Sequence, residues 1–516
     1  MGSRTQKSAR NFTVGILSQF FTILLSFVSR TIFLHFLSSE YLGINGLLSN
    51  VLTVLSLAEL GISDAMTYAM YKPAKENDKP TMGKLLIIYK KAYTIVAIIV
   101  GAVGFALSFF LNYIISEPPD IPESMQVIFW MYIVNNMASY LLAYKKSVLI
   151  AYQENYVITY ATQATTIAQQ LLQILLLYTT QQYYLYLAVQ IVCTFANNLV
   201  ISLVVKKRYP WLKEYSHGKL PEEIAQGIFK NVKALSISRI AGVVANGADN
   251  IIISKLLGLT SVGLVSNYTM LTNALNGALW NGLSSMTSSF GNFNVDSTFE
   301  QRRENFNELF LCSYWLYGFL SVGLVVLINP FITLWLGNDY LVARSVAAAL
   351  VLNIYISGVN FPAYTYQATL GMYDKMKLPY VMFGVLNVIL SIILGLRMGL
   401  FGIYIATSIS RLCTSELASG YYVYRYGLNL SPWKYAVKYV GAGILLALNA
   451  GITDRIVSQI AIPGLGGFAI KVVTCALVSN LIYLACFFRT TEFQSLKARV
   501  VSLLKLNNRL NHENQN

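Results

Sequence analysis

The chain has 516 residues, of which 55% are hydrophobic and only 12% are charged, and its formal net charge is +15. Soluble globular domains carry about 25% charged residues, so this composition excludes an ordinary soluble protein and predicts a polytopic membrane protein. The positive charge does not indicate nucleic-acid binding, because the basic residues lie in short segments between apolar runs and no nucleic-acid-binding motif accompanies them.

The five cysteines lie inside apolar runs at irregular spacing. Such cysteines are typical of small core residues, and their spacing predicts neither a disulfide framework nor a zinc site. We therefore expect no metal and no cofactor.

Apolar runs that are long enough to cross a membrane follow one another along the whole chain. A bilayer core is roughly 30 Å thick and is spanned by about 20 apolar residues. The sequence therefore predicts an all-α fold with about fourteen transmembrane helices. We place these spans at 11–37, 42–70, 85–115, 124–150, 156–178, 184–205, 225–256, 262–290, 304–329, 343–369, 379–396, 402–424, 435–453 and 464–488.

The connecting segments predict the orientation of the chain. Most of the 38 Lys and Arg residues lie in every second connection and in the two ends, whereas the other connections are short and nearly free of basic residues. By the positive-inside rule both termini are cytoplasmic. The longest polar connection, 206–223, separates span six from span seven. We therefore expect an N-terminal lobe at 1–222, a C-terminal lobe at 223–433, an extra helix pair at 434–488 and a cytoplasmic tail at 489–516.

An internal repeat supports the division into two six-helix, pseudo-symmetric lobes. The motif Tyr41-Leu42-Gly43-Ile44 after span one matches Ser261-Val262-Gly263-Leu264 after span seven at a constant offset of 220 residues. The same offset places Arg30 opposite Asn250. Because six spans separate the copies, the repeat is parallel, with an axis along the membrane normal.

Three arginines lie inside predicted spans and are candidate substrate-binding residues: Arg30, Arg239 and Arg411. An arginine within a span costs roughly 2.5–3.5 kcal/mol on insertion scales, so it marks a functional site by default. The alternative is that Arg30 extends its guanidinium to the outer surface. The repeat of the design in the second half favours a site.

Polar side chains recur at helical spacing in six spans. Such stripes either join packed helices by hydrogen bonds or line a hydrated cavity. Amides and aromatic rings suit sugars, whereas the donor fork of arginine suits phosphate. The further candidates for substrate binding are Asn45, Asn246, Asn250, Asn273, Asn276 and Trp280.

Four acidic residues within the spans have two interpretations. They balance the charge of the arginines, or they carry a proton or Na⁺ that is coupled to transport. These residues are Glu59, Asp64, Asp249 and Glu416.

Five stretches carry a resemblance to a known family. They are residues 29–47 (SRTIFLHFLSSEYLGINGL), 57–62 (LAELGI), 330–340 (PFITLWLGNDY), 371–375 (GMYDK) and 399–403 (GLFGI). The first two look like the opening of Wzx-type polysaccharide flippases, and the others are similar to later stretches of the same family. The resemblance covers essentially the whole chain, and the opening block is its most specific part.

The resemblance implies membership of the multidrug/oligosaccharidyl-lipid/polysaccharide exporter superfamily. It implies two lobes around a cationic cavity and alternating access. The implied substrate is an oligosaccharide on undecaprenyl pyrophosphate, flipped from the inner to the outer leaflet of the bacterial cytoplasmic membrane for capsular, exopolysaccharide or O-antigen synthesis. Arg30 matches the arginine of the opening block, whereas Arg239 and Arg411 align with no motif of the family.

The implied partners are the lipid-linked oligosaccharide, membrane lipid, a coupling ion (H⁺ or Na⁺), and the polymerase and glycosyltransferases of the same pathway. Two alternatives stay open. The first is a cation-coupled multidrug exporter of the same superfamily, although arginines deep in the spans favour an anionic substrate. The second is a membrane polymerase or glycosyltransferase, against which the short external loops and the lack of an Asp-x-Asp motif argue.

The predicted orientation is tested with a reporter that is active only in the cytoplasm. We expect activity when it is fused after Lys146, Lys213 or Arg303, and none after Asp120, Gln181 or Asp339, because basic connections are retained inside. Cytoplasmic activity at Asp339 would break the fourteen-span arrangement.

Overall fold

A computed structural model of the chain describes residues 22–59, 62–115, 119–215, 222, 226, 248–284 and 297–498. These residues form helices joined by short turns and contain no strand, in agreement with the predicted all-α class. Nine helices of this part are long and apolar enough to cross a membrane. The chain is therefore a multi-pass membrane protein, and the count of fourteen spans stays a prediction.

The chain divides into two compact units, unit 1 (residues 1–263) and unit 2 (residues 264–516). The division falls inside the helix Asp249–Ser284, so this helix contributes to both. The predicted lobe boundary at 222, the separate helix pair and the tail are not tested by this division and stay predictions.

Unit 1 is built from helices of unequal length. Its described helices are Thr22–Phe36, Ser39–Leu55, Ile62–Glu76, Lys79–Ser108, Leu111–Ile114, Met125–Tyr140, Lys146–Ala151, Asn155–Thr180, Tyr183–Arg208 and the first part of Asp249–Ser284. The short 3₁₀ turns lie at Ser56–Glu59, Ala143–Lys145 and Pro210–Lys213.

The helix Lys79–Ser108 shows how local sequence fixes a helix start in unit 1. Asp78 is its N-cap and accepts a hydrogen bond from the Thr81 backbone N–H at 3.1 Å, and a proline occupies the first turn. Both features satisfy or remove the free N–H groups at a helix start. The Thr81 hydroxyl, together with this N–H, holds the pKa of Asp78 below its usual range, so the carboxylate stays charged.

Unit 2 is organised around one long helix, Phe299–Leu336, which starts with a Thr298–Gln301 capping box. It packs against Arg344–Val359, Pro432–Ser458 and Gly464–Phe487. The other described helices are the end of Asp249–Ser284, Phe361–Thr369, Tyr373–Arg411 and Leu417–Tyr422, and π-helical turns lie at Leu412–Glu416 and Val423–Gly427.

Two glycines bend helices where the sequence predicts short outer connections at 257–261 and 397–401. Gly258 (φ 82°) and Gly399 (φ 61°) adopt positive φ inside the otherwise continuous helices Asp249–Ser284 and Tyr373–Arg411. Only glycine enters this region without steric cost. The predicted loops are thus kinks of a single residue.

The two copies of the repeat motif touch each other within unit 1. A Cβ atom added at Gly43 would collide with the carbonyl of Leu259, and one added at Gly263 would collide with the carbonyl of Ser39. Both residue pairs differ by the 220 residues of the sequence repeat. The contact is therefore reciprocal, as expected of two equivalent segments that meet on a local twofold axis.

Asn250 adds a polar contact to this junction. Its side-chain amide donates to the Gly46 carbonyl at 3.4 Å, and a Cβ at Gly46 would lie 2.9 Å from Val262 Cγ1. Asn250, a candidate for substrate binding, thus also joins the two repeat segments.

The close approach at Gly43 predicts opposite effects of two equivalent substitutions. Gly43→Ala should lower the thermal stability of the purified protein, by about 1–3 kcal/mol, because the new methyl group meets backbone that cannot move aside. The matched control is Gly277→Ala, also in a helix, where nothing lies within 4 Å of an added Cβ. It should be neutral or stabilise by roughly 0.5–1 kcal/mol. Equal melting temperatures for the two variants would contradict the contact.

Candidate functional site

Arg30 lies on the helix Thr22–Phe36 of unit 1 and is half-buried. Its guanidinium interacts electrostatically with the hydroxyl of Tyr186, which belongs to the helix Tyr183–Arg208. The first candidate arginine therefore points toward an aromatic neighbour that is 156 residues away in the sequence.

Tyr186 is part of an aromatic wall in unit 1. Its ring stacks on Tyr183 at 5.9 Å and meets Phe33 edge-on at 5.3 Å, one helical turn from Arg30. Tyr183 is fully buried, and its hydroxyl forms a 3.1 Å hydrogen bond with that of Tyr132. The wall is thus held in place by packing and by hydrogen bonds, which fixes the surroundings of the arginine.

Tyr41 connects this wall to the repeat motif. Its ring lies 4.8 Å from that of Tyr183, and its hydroxyl donates a short hydrogen bond to Glu123. Tyr41 directly precedes the Leu42-Gly43 contact with the second copy of the motif. The aromatic wall and the repeat junction therefore share one short segment.

The glutamine stripe of the helix Asn155–Thr180 supports the same region. The Gln173 amide donates to the Tyr186 carbonyl at 3.0 Å, and Gln163 accepts from the Thr22 hydroxyl at 2.8 Å. These two members of the stripe join helices, which is the structural role of polar groups in spans.

Glu59 occupies the 3₁₀ turn that interrupts the second predicted span. Its carboxylate accepts a 2.6 Å hydrogen bond from the Tyr93 hydroxyl, which in turn accepts one from Tyr89 at 3.1 Å. The recorded partner of this acid is a phenol and not an arginine. Interruptions of this kind often mark functional positions in a helix.

The remaining candidates of unit 1 are less fully described. Asn45 accepts a hydrogen bond from Ser49 of its own helix at 3.2 Å. Asp249 is half-buried at the start of its helix, next to Asn250. Arg239, Asn246 and the side chain of Asp64 lie outside the described residues.

In unit 2, Trp280 contributes to an aromatic cluster. Its ring lies 5.2 Å from Phe361 and 5.5 Å from Tyr364. On the same helix, Asn273 is exposed and Asn276 is half-buried.

Arg411 and Glu416 flank a π-helical turn in unit 2. The guanidinium lies 5.3 Å from the centre of the Phe383 ring, and the π-helix Leu412–Glu416 follows directly. Glu416 is buried, interacts electrostatically with Arg411 and is hydrogen-bonded to Asn360, which also accepts a 2.7 Å bond from the Tyr435 hydroxyl. Here an acid does lie beside an arginine.

Polar residues of the predicted tenth span are used mainly to join helices. Asn353 donates to the Tyr404 carbonyl at 2.9 Å and accepts from Ser408 at 3.0 Å. Gln367 accepts from Ser419 at 3.2 Å. For this stripe the described contacts agree with the structural interpretation.

Sequence reasoning missed the tyrosines that surround the candidate charges. Tyr186 and Tyr93 were not singled out, although Tyr183-Tyr184-Leu185-Tyr186 and the helical pair Tyr89/Tyr93 are visible in the sequence. Tyrosines within apolar spans, spaced one turn apart, were the available signal.

Comparison with known families places the chain. The family described as polysaccharide biosynthesis protein matches residues 8–288, which is more than half of the sequence. The chain belongs to this family. A search of curated protein sequences finds no match.

Solved structures show the same fold at low sequence identity. The structure titled lipid II flippase MurJ, inward closed conformation, is 14% identical, with a TM-score of 0.65, and the match covers 93% of this chain and 99% of that one. An inward-facing multidrug resistance transporter of the MATE family is 12% identical, with a TM-score of 0.61 and coverage of 83% and 95%. A transporter from Pyrococcus furiosus is 12% identical, with a TM-score of 0.51 and coverage of 79% and 91%.

The titles of the last two structures name the MOP superfamily. The superfamily suggested by the opening block is thereby confirmed, and the fold of the chain is that of these membrane transporters. At such low identity the likeness concerns the fold alone, so the substrate must be argued from the residues.

The bond between Tyr93 and Glu59 is tested by a double-mutant cycle. Tyr93→Phe keeps the ring but removes the donor, and a hydrogen bond to a charged group contributes about 1.5–3 kcal/mol. We expect Tyr93→Phe to lower the melting temperature, Glu59→Gln to lower it too, and the double variant to lose less than the sum. The measurement is thermal unfolding of the purified protein in one detergent.

The control for this cycle is Tyr113→Phe, because Tyr113 is 75% exposed. It should leave stability unchanged. Additive losses at Tyr93 and Glu59 would show that the two groups do not stabilise each other.

Proposed function

We propose that the protein is a flippase for an oligosaccharide carried on undecaprenyl pyrophosphate. It moves this lipid from the inner to the outer leaflet of the bacterial cytoplasmic membrane. The product serves capsular, exopolysaccharide or O-antigen-type polysaccharide synthesis, with the polymerase and glycosyltransferases of that pathway as functional partners.

The observation that carries the proposal is Arg30. A guanidinium in the first span of a transporter fold, beside Tyr186, suits an anionic substrate, and the family is one of polysaccharide biosynthesis. Arginine binds phosphate oxygens through two parallel hydrogen bonds, and such bonds strengthen where water is scarce. A pyrophosphate with an attached sugar chain combines the anion and the polar bulk that these residues accommodate.

The candidate residues take different parts in this proposal. Arg30 and Arg239 bind the pyrophosphate, with Arg411 as a further cation. The amides bind sugar hydroxyl groups, and Trp280 stacks on a sugar face. These residues are Asn45, Asn246, Asn250, Asn273, Asn276 and Trp280.

The acids divide into two groups in the proposal. Glu416 balances the charge of Arg411, which the electrostatic interaction between the two supports. Glu59 has a phenol as its recorded partner, which suits an acid that exchanges a proton or Na⁺ during transport. Asp64 and Asp249 are assigned to either coupling or charge balance.

Alternating access gives the repeat junction a role. The contacts of Gly43 with Leu259 and of Gly263 with Ser39 join the predicted outer ends of spans one and seven. We propose that this junction closes the outer side and separates when the substrate is released. Contacts between backbones at glycine re-form without repacking large side chains, which suits a junction that opens in every cycle.

The function is tested by Arg30 variants in a strain that lacks the chromosomal gene. Arg30→Ala should lower surface polysaccharide at least roughly tenfold, because one charge-assisted contact with phosphate is lost. Arg30→Lys should keep part of the activity, since it keeps the charge but not the fork. The lipid-linked oligosaccharide should accumulate on the cytoplasmic leaflet.

The control for this experiment is Arg397→Ala, because Arg397 is exposed. All variants are compared at matched membrane protein levels. Normal polymer from the Arg30→Ala, Arg239→Ala double variant would sink the proposal. Normal polymer together with lost resistance to cationic dyes would instead favour the multidrug exporter.

A further inference from the structure

A crevice of about 800 Å³ lies at the basic end of unit 1, apart from the Arg30 region. Its walls come from the helix Lys79–Ser108, the turn Ala143–Lys145, the end of Tyr183–Arg208 and the turn Pro210–Lys213. These segments belong to the connections that the positive-inside rule assigns to the cytoplasm. The crevice therefore lies at the inner membrane–water boundary.

The crevice concentrates positive charge. Five lysines line it, and none of the lining residues in the described part of the chain is an acid: Lys90, Lys91, Lys145, Lys206 and Lys213. The neighbouring cations are engaged elsewhere, since Arg208 pairs with Glu154 at 2.7 Å and Lys79 lies 5.8 Å from the centre of the Trp211 ring. An anion in the crevice would relieve the repulsion among the lysines.

Neutral donors accompany the lysines. The Lys145 ammonium is held by a 2.6 Å hydrogen bond to the buried Ser202 hydroxyl, so it is positioned rather than free in solvent. Tyr209 stacks on Tyr152 at 4.8 Å and also lines the crevice. Burial, and then Glu154, raise the pKa of Tyr209 well above its usual range, so its phenol stays a neutral hydrogen-bond donor.

One side of the crevice is apolar and continues onto the outer surface of the unit. Leu86, Ile87 and Val205 form part of the wall. Ile95, at the edge, is 56% exposed, and Ile98 one turn further along the same helix is 61% exposed. A ligand that fills the crevice would thus have an anionic end among the lysines and an apolar end along the helix.

We propose that this crevice binds the phosphate headgroup of an anionic membrane phospholipid from the inner leaflet. The acyl chains lie along the exposed isoleucines of the helix Lys79–Ser108. Basic pockets between transmembrane helices on the cytoplasmic side suit such headgroups. The apolar edge favours a lipid over free phosphate, because only a lipid covers Ile95 and Ile98.

The test measures lipid retention by native mass spectrometry. The full-length protein is released from mixed micelles with equal amounts of phosphatidylglycerol and phosphatidylcholine. Wild type should retain phosphatidylglycerol preferentially. Lys90→Gln, Lys206→Gln should weaken its retention roughly thirtyfold, since both exposed lysines contribute to phosphate binding.

Two further variants separate a shaped site from general attraction to positive charge. Thr94→Trp fills the crevice without changing its charge, because Thr94 is exposed and lines it, and should also reduce retention. Lys72→Gln, Lys75→Gln removes two exposed lysines elsewhere in unit 1 and should leave retention unchanged.

Three outcomes overturn the proposal. The first is equal retention by wild type and the Lys90/Lys206 variant, and the second is an equal loss in the Lys72/Lys75 control. The third is displacement of phosphatidylglycerol by inorganic phosphate, or preference for an added polyprenyl phosphate, which would assign the crevice to a different phosphate source. None of these outcomes bears on polysaccharide export by the Arg30 variants, so the two proposals fail independently.

Discussion

Hydrocarbon offers no partner to a charged or hydrogen-bonding group, and this constraint explains how tyrosine is used in the chain. Tyr93 donates to Glu59 in unit 1, and Tyr435 donates to Asn360, the neighbour of Glu416, in unit 2. A phenol suits this position because its ring buries apolar area while its hydroxyl supplies the bond. Polar groups that transport would use are thus held in place without a second charge at every position.

A second constraint is the close approach of the two repeat segments. Because Gly43 meets Leu259 as Gly263 meets Ser39, the same local sequence is used twice in one junction. A side chain at either glycine would push both backbones apart, so the two positions depend on each other. The aromatic wall around Arg30 reaches this junction through Tyr41. Movement of the junction would therefore be felt at the wall.

The all-α class, the superfamily and the helix-rich segments could be predicted from the sequence, because apolar length and basic connections are local properties. The partners of the charges could not. Arg30 is visible as a charge in an apolar run, but Tyr186 becomes its neighbour only after helices far apart in sequence pack. For the same reason, charge balance by arginine was one open interpretation of every acid. The structure agrees with it at Glu416 and gives Glu59 a tyrosine instead.

The chemistry of the cations follows their depth in the membrane. Lysine, a compact and strongly hydrated charge, lines the crevice at the membrane boundary, where water remains available to its ammonium group. Arginine, which is less strongly hydrated, occupies the spans at Arg30 and Arg411, each beside an aromatic ring. A lysine at Arg30 would need more hydration than its surroundings supply and would lose the planar match to phosphate. The choice of cation thus separates a boundary site, suited to lipid headgroups in contact with water, from a site within the span, suited to an anion that has left water behind.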